Sequence, residues 1–307
     1  MKLDKPLNLT FGEEPERYTR EGCDTETPTG LERSLEGLSK GLVDCYEQIK
    51  RNHNVIEGEK GLRKELLRIE KRFLWELDKS AKNLCKQIEA SIAVQSYLNF
   101  GTLPVSFHGW PVSPDFALFL IQQIEQSDYD LIIEFGSGTS TAILASVCAT
   151  KKKRIGKAIK VLSFDHHEMY FEKTKSLLEF FDPDGEVELI HAPLVPTIVD
   201  GKEYLYYSCI DALNDENSRL QGGQVRALAI IDGPPGVTGP LARFPALPIL
   251  LENLDLRALD IVLDDSGRDE EKEIAMLWDK MLSEESEAVE RQDLPFEKGA
   301  AFWSVRF

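Results

Sequence analysis

The chain has 307 residues, 42% of them hydrophobic and 29% charged, with 36 Lys and Arg against 53 Asp and Glu, for a formal net charge of −17. That length allows one large domain with an appendage and a sizeable core. The acidity argues against broad phosphate-backbone binding, which needs a basic face, so no nucleic-acid partner is expected. The five cysteines (Cys23, Cys45, Cys85, Cys148 and Cys209) are scattered with no Cys-x-x-Cys pair. They predict reduced thiols in a cytoplasmic protein, and neither a disulfide framework nor a zinc site. The N-terminus carries charges without the apolar core of a signal peptide, and no apolar run approaches the ~20 residues of a membrane span.

Residues 1–29 are polar, with Gly and Pro and no periodicity, and read as a flexible arm. From Leu31 the pattern changes. Leu31, Leu35, Leu38, Leu42, Cys45, Ile49, Asn52 and Ile56 alternate spacings of four and three, a heptad seam that Gly58 and Gly61 interrupt. A second helical run follows through Leu62, Leu66, Ile69, Phe73, Leu77, Leu84, Ile88 and Ile92, with a seam that drifts after Phe73. Region 30–100 therefore reads as long helices. They either pair between subunits as a coiled coil or fold back on their own chain. Asn52 on the seam resembles a register-setting polar residue, and we expect a homo-oligomer through these N-terminal helices.

Pro104, Pro111 and Pro114 mark a linker around Phe107, His108, Gly109 and Trp110, at the head of a domain spanning 101–307. A helix from Ser113 to about Gln126 leads into an apolar strand at 131. Further strands are predicted at 160–165, 187–191, 226–232 and 259–264, with helices near 168–181, 241–254 and 269–283. The basic run Lys151-Lys152-Lys153-Arg154 before Gly156 reads as a solvated loop. Alternation of this kind predicts an α/β fold with a doubly wound, mostly parallel sheet. Two final strands near 288–293 and 300–307 would close it to seven as an antiparallel hairpin.

The most informative stretch is 131–141, Leu-Ile-Ile-Glu-Phe-Gly-Ser-Gly-Thr-Ser-Thr. An apolar strand ends on Glu134, a tight turn follows, and a small-residue helix opens at Thr139. Gly136 and Gly138 let the backbone bend sharply and approach a ligand, and the carboxylate just before is aimed at a polar or cationic group. A Walker loop would need Gly-Lys-Ser/Thr, and a dinucleotide fingerprint a third glycine where Thr141 stands. Ligands of such sheets bind beyond the carboxyl ends of the strands. Asp165, at the tip of the next strand, can accept both hydroxyls of a ribose, or else cap the helix that follows.

Two later strands also end in acid: Asp232 precedes Gly233-Pro234-Pro235-Gly236, and Asp264-Asp265 precede Ser266-Gly267-Arg268. Three carboxylates on neighbouring tips would repel one another, and a hard cation such as Mg²⁺ is the obvious compensation. It would bind an acceptor hydroxyl and lower its pKa. Without a metal a general base is needed, for which His167 and then His191 are the candidates, with His166 beside them. Arg243 and Arg268 lie on loops at the same edge and could hold an anionic or sugar-like acceptor, or pair locally with acids.

Residues 104–307 resemble a bacterial subgroup of class I S-adenosylmethionine (SAM) methyltransferases. The resemblance is carried by Gly-Trp-Pro-Val-Ser-Pro-Asp (109–115), Glu-Phe-Gly-Ser-Gly-Thr-Ser-Thr (134–141), Ser-Phe-Asp-His-His (163–167), His-Ala-Pro-Leu (191–194), Tyr-Leu-Tyr-Tyr-Ser (204–208), Asp-Gly-Pro-Pro-Gly (232–236) and Leu-Asp-Asp-Ser-Gly-Arg (263–268). It implies that Glu134, Phe135, Gly136, Ser137, Gly138, Thr139, Asp165 and His166 hold SAM and that Trp110 and Ser113 close over it. It also implies that Asp232 stands at the reacting centre and that Tyr207 meets the acceptor, although relatives commonly have Trp-Tyr at 206–207. The acidic trio resembles the metal site of catechol-type O-methyltransferases, whose second residue of the pair is typically Asn where this chain has Asp265. The implied activity is O-methylation of a hydroxylated small molecule or glycan. Two other readings remain open: a noncatalytic coiled-coil assembly protein with a vestigial SAM domain, and a nicotinamide-dependent oxidoreductase.

Overall fold

The computed structural model describes residues 59–98, 112–182, 185–220 and 224–307, with a few helical positions between 40 and 48. The expected arm, most of the first heptad seam and the linker with Trp110 lie outside the described residues.

A seven-stranded sheet forms the centre, in the order β3-β2-β1-β6-β7-β9-β8. Its parallel strands are β1 (Leu131–Phe135), β2 (Lys160–Asp165), β3 (Val187–His191), β6 (Val225–Ile231) and β7 (Leu256–Asp264). The closing pair β8 (Ala288–Leu294) and β9 (Ala300–Arg306) is antiparallel, with β9 set against β7. The predicted seven-stranded doubly wound arrangement is thus what the chain forms. The reason is local. Every residue of β1 is buried and nearly all of β6, as continuous apolar runs require when both faces of a strand are covered. The outermost strand, β8, is instead exposed and charged (Ala-Val-Glu-Arg-Gln-Asp-Leu), a composition that discourages pairing with another edge.

Helices cover both faces. One apolar cluster joins α1 (Glu59–Leu98), α2 (Pro114–Gln126) and α3 (Thr139–Ile155) to one face of the sheet through Val94, Leu98, Phe116, Leu120, Ile132 and Ile230. The other joins α5 (Ile210–Arg219), α6 (Ala246–Asn253) and α7 (Asp269–Glu285) to the opposite face through Leu213, Leu247, Leu250, Trp278 and Trp303. The remaining helix, α4 (Glu168–Phe181), follows β2 and buries Thr174 and Phe181. Only the C-terminal part of α1 is buried, at Ala90, Val94 and Leu98. Upstream, Leu66, Leu74, Trp75 and Leu77 stay exposed.

Three departures from the sequence reading have physical causes. The basic run at 151–154 is no loop: α3 continues to Ile155 and ends on Gly156 in the left-handed region (φ 75°). Lys151 is buried there and its Nζ donates to the carbonyls of Ile124 (2.6 Å) and Ser127 (2.5 Å), satisfying the open C-terminal end of α2. The helix expected over 241–254 begins only at Ala246, after a series of turns. A separate hairpin, β4 (Leu194–Val199) and β5 (Lys202–Tyr207), was not foreseen because Pro196 interrupts its pattern. Its turn, Asp200-Gly201, has positive φ at both residues (50° and 74°), the geometry that Asp-Gly serves in two-residue hairpins.

Candidate active site

The strand order fixes which tips are neighbours. Across the carboxyl edge run His191, Asp165, the Gly136 turn, Asp232 and Asp264, on β3, β2, β1, β6 and β7. Gly136 continues the ladder by donating to Phe164 O (3.0 Å), and the Asp232 amide does so by donating to Phe135 O (2.9 Å). The Gly136 backbone is left-handed (φ 103°), and a Cβ there would lie 3.1 Å from the Asp232 carbonyl carbon. Only glycine fits a turn pressed so closely on the next strand.

Beneath this turn Glu134 is fully buried. Its Oε2 accepts from Thr141 Oγ1 (2.5 Å) and Ser163 Oγ (2.6 Å), and Thr141 Oγ1 in turn accepts from the Gly138 amide (2.9 Å). Its Oε1 accepts no well-formed hydrogen bond, although the Ser140 hydroxyl is close enough to favour the anion. Burial pushes the carboxyl up to about 7, against the three hydroxyls of Ser140, Ser163 and Thr141 that favour the anion. A cationic or N–H donor at Oε1 would satisfy the half of this carboxylate that the fold leaves open. Thr141 and Ser163 were not singled out in the sequence, yet register gives Ser163 away: it lies directly opposite Glu134 across β1 and β2.

Asp165 is buried at the tip of β2, with Oδ1 accepting from the His167 amide (2.9 Å) and Oδ2 lying 2.7 Å from Ser137 Oγ. Ser137 Oγ also lies 2.9 Å from Thr174 Oγ1, which ties the glycine turn to α4. The helix cap that Asp165 might have served belongs to His167, whose Nδ1 accepts from the Met169 amide (3.3 Å). His166 is half-buried, and burial lowers its pKa.

The acids of β6 and β7 converge: Asp232, Asp264 and Asp265 each bring an oxygen within 4.8 Å of the others. Asp264 is buried, and burial followed by repulsion from Asp232 and Asp265 pushes its carboxyl up to about 8. Asp265 adopts a left-handed backbone (φ 59°), which Asp and Asn tolerate better than other side chains. An Asp at this position therefore keeps the turn that Asn would make and adds a charge.

Arg243 runs through this cluster. One guanidinium nitrogen (Nη1) donates to Asp264 O (2.9 Å), and the other (Nη2) to Asp232 O (3.0 Å), Asp232 Oδ1 (3.3 Å) and Asp265 Oδ2 (3.2 Å). With its side chain only 4% exposed, it holds the two acidic turns together and does not face an acceptor, which corrects its expected substrate role. Arg268 is half exposed and pairs with Asp265 (3.0 Å) and Glu271 (3.6 Å), the local pairing weighed as its alternative.

Four further expectations change. His191 sits three strands from Asp232, about 14 Å at ~4.8 Å per strand, so it cannot serve the same reacting atom. It is exposed on the edge strand and packs on Phe171. His167 caps α4 beside Asp165, two strands from Asp232, and is equally misplaced as a base acting there. Ser113 is buried, and its hydroxyl donates to Asp115 (2.7 Å) at the start of α2 instead of facing a ligand. Tyr207 is buried against Phe135, His166 and Tyr206, and a Cβ on Gly233 would land on its hydroxyl, so it offers no face to an acceptor.

Sequence inspection also passed over Asp115. Its carboxylate, almost wholly buried, gathers Ser113 Oγ, the amides of Phe116 (3.0 Å) and Glu297 (3.1 Å), and Lys86 Nζ of α1 (3.1 Å). It thereby anchors the β8–β9 turn, whose Gly299 carbonyl accepts from Ser266 beside Asp265 (3.1 Å).

The chain matches no family model and no curated protein. Solved structures of similar architecture include an O-methyltransferase from Bacillus cereus in complex with SAH, at 13% identity over 72% of this chain and 91% of that one, TM-score 0.45. Others are a putative O-methyltransferase from Klebsiella pneumoniae (15%, 71% and 89%, 0.43) and a putative caffeoyl-CoA O-methyltransferase from Staphylococcus aureus (12%, 75% and 100%, 0.43).

Proposed function

We propose that the chain is a SAM-dependent methyltransferase acting on an oxygen of a hydroxylated small molecule or glycan. The observation that carries the reading is the open carboxylate oxygen of Glu134 under a glycine turn, flanked on one side by Asp165 and on the other by Asp232. Asp165 and Asp232 lie two strands apart, about 10 Å at ~4.8 Å per strand. A nucleoside gripped by its ribose at Asp165 would reach past Gly136 toward Asp232, with its amino-acid end over Glu134. When bound, SAM supplies an electrophilic methyl group on sulfur, and sulfur keeps the electron pair of the broken C–S bond.

The chain's part is to place the acceptor oxygen in line with that methyl group and to take its proton. Asp232 is suited to the second task. Its side chain is 31% exposed, whereas Arg243 behind it is buried. Enclosure at the crevice base and the nearby Asp265 raise its pKa despite the Arg243 charge, making it a better proton acceptor than an ordinary surface carboxylate. The donor set also fits a hard divalent cation, with Asp232, Asp264 and Asp265 as ligands; such an ion would acidify the acceptor hydroxyl. Arg243 already supplies one counter-charge there, so the cation is an addition to the site and not a condition of its assembly.

Calorimetric titration tests the reading. SAM should bind saturably, Asp165→Ala should abolish the heat, and Asp232→Ala should keep it. No heat at millimolar SAM would leave a noncatalytic assembly role as the better account, and a shift of NAD(H) fluorescence would favour an oxidoreductase. Repeating the titration with and without Mg²⁺ shows whether the acidic trio takes a metal.

A further inference from the structure

We propose that a recess between β5 and the segment after Asp232 is the acceptor subsite, and that it takes a neutral hydroxylated ring. The inference rests on the methyl-transfer reading and adds to it where the acceptor sits and what its chemistry is. The recess has a volume of about 160 Å³ and is lined by Glu203, Tyr204 and Leu205 of β5 and by Thr238, Pro240 and Ala242 of the loop. That is room for one six-membered ring: a cavity of ~150 Å³ accommodates benzene.

The recess is mechanically tied to Asp232. Its loop leaves the sheet at Asp232, and near the loop's far end the guanidinium of Arg243 bonds back to the carbonyl and carboxylate of Asp232. Within the loop Thr238 Oγ1 donates to Pro235 O (2.8 Å), which tightens the turn. Wall and carboxylate therefore belong to one closed loop, and a ligand held by the wall is held at a fixed offset from Asp232. The opposite wall is equally firm, because Tyr204 packs on Phe244, directly after Arg243, with ring centroids 5.6 Å apart.

The lining sets the ligand's character. Leu205 on β5 is 45% exposed, and Pro240 and Ala242 line the recess from the loop side. These apolar groups suit the C–H faces of a ring, while the exposed Glu203 carboxylate can accept from its hydroxyls. An anionic acceptor is disfavoured. The lining includes the Glu203 carboxylate and no cation, and Arg243, which follows Ala242, is already bonded to Asp232 and Asp265.

Saturation-transfer NMR on the full chain tests this, with a panel of neutral methyl hexopyranosides and the corresponding hexuronates as probes, with and without S-adenosylhomocysteine. Neutral rings should show transfer, and Glu203→Gln and Leu205→Asp should each weaken their binding at least tenfold. Both substitutions are at exposed positions, so the fold should tolerate them. The affinity for S-adenosylhomocysteine, measured by calorimetry on the same variants, should not change. Absence of transfer from every neutral ring, equal transfer in wild type and variants, or tighter binding of hexuronates would each overturn the proposal. Transfer that both variants weaken, in a chain giving no heat with S-adenosylhomocysteine, would uphold the ring subsite and defeat the methyl-transfer reading.

Discussion

Replacing Glu134 by Gln should make the ligand-free protein more stable, and only at neutral and alkaline pH. The carboxyl is fully buried, and burial raises it from 4.5 to about 7. Below pH ~4.5 the group is protonated in both folded and unfolded chains and costs nothing. Between ~4.5 and ~7 the unfolded chain loses the proton while the folded one keeps it, so stability falls as pH rises, and above ~7 the full penalty is present. At ~1.4 kcal/mol per unit the penalty comes to about 3 kcal/mol, an order-of-magnitude figure. Urea unfolding of wild type and Glu134→Gln at pH 4.5, 6 and 8 measures it. The variant's relative stability should rise by about 3 kcal/mol across that series, most of it before pH 7. A difference that stays flat with pH would mean that Glu134 is ionised in the folded chain throughout and that its open oxygen is solvated, removing the main argument for a ligand there.

Two other substitutions test how the frame of the site is held. Asp115→Ala removes a buried acceptor from four donors, leaving the amides of Phe116 and Glu297 unsatisfied, and should cost about 2–5 kcal/mol in chemical denaturation, at ~1–3 for each amide. Lys86→Met, removing a partner that is 43% exposed, should cost below ~1 kcal/mol; equal losses would show that the ion pair outweighs the backbone bonds. Lys151→Met strands the carbonyls of Ile124 and Ser127 and should lower stability by about 1–3 kcal/mol, read as a reduced melting temperature; an unchanged melt would return Lys151 to the solvent.

The centre of the sheet was legible because β1, β6 and β7 are largely apolar runs that end in glycine or acid. Periodicity alone places β2, β3 and α4 at the residues where they occur, and the acidic tips at one edge follow from parallel strands in register. What stayed hidden depends on contacts between segments distant in sequence. Arg243 reads as a free loop cation until β6 and β7 bring Asp232 and Asp265 to either side of it. His191 reads as a strand-end base until strand order puts it on the far margin. Lys151 reads as solvated because a lysine run usually is, and nothing local reveals that the end of α2 lies within reach of its side chain. Thr141 and Ser163 are ordinary small residues on paper, and only the orphaned carboxylate between them gives them a purpose.

The burial of Val94 and Leu98 beside Phe116 and Leu120 has a practical corollary for anyone dividing this polypeptide. A cut at residue 101, where composition suggests a border, would strip two side chains from an apolar layer that also includes Ile132 and Ile230 of the central strands. The truncated piece would expose that layer to water and be prone to aggregate, whereas one beginning near residue 80 would retain its own lid.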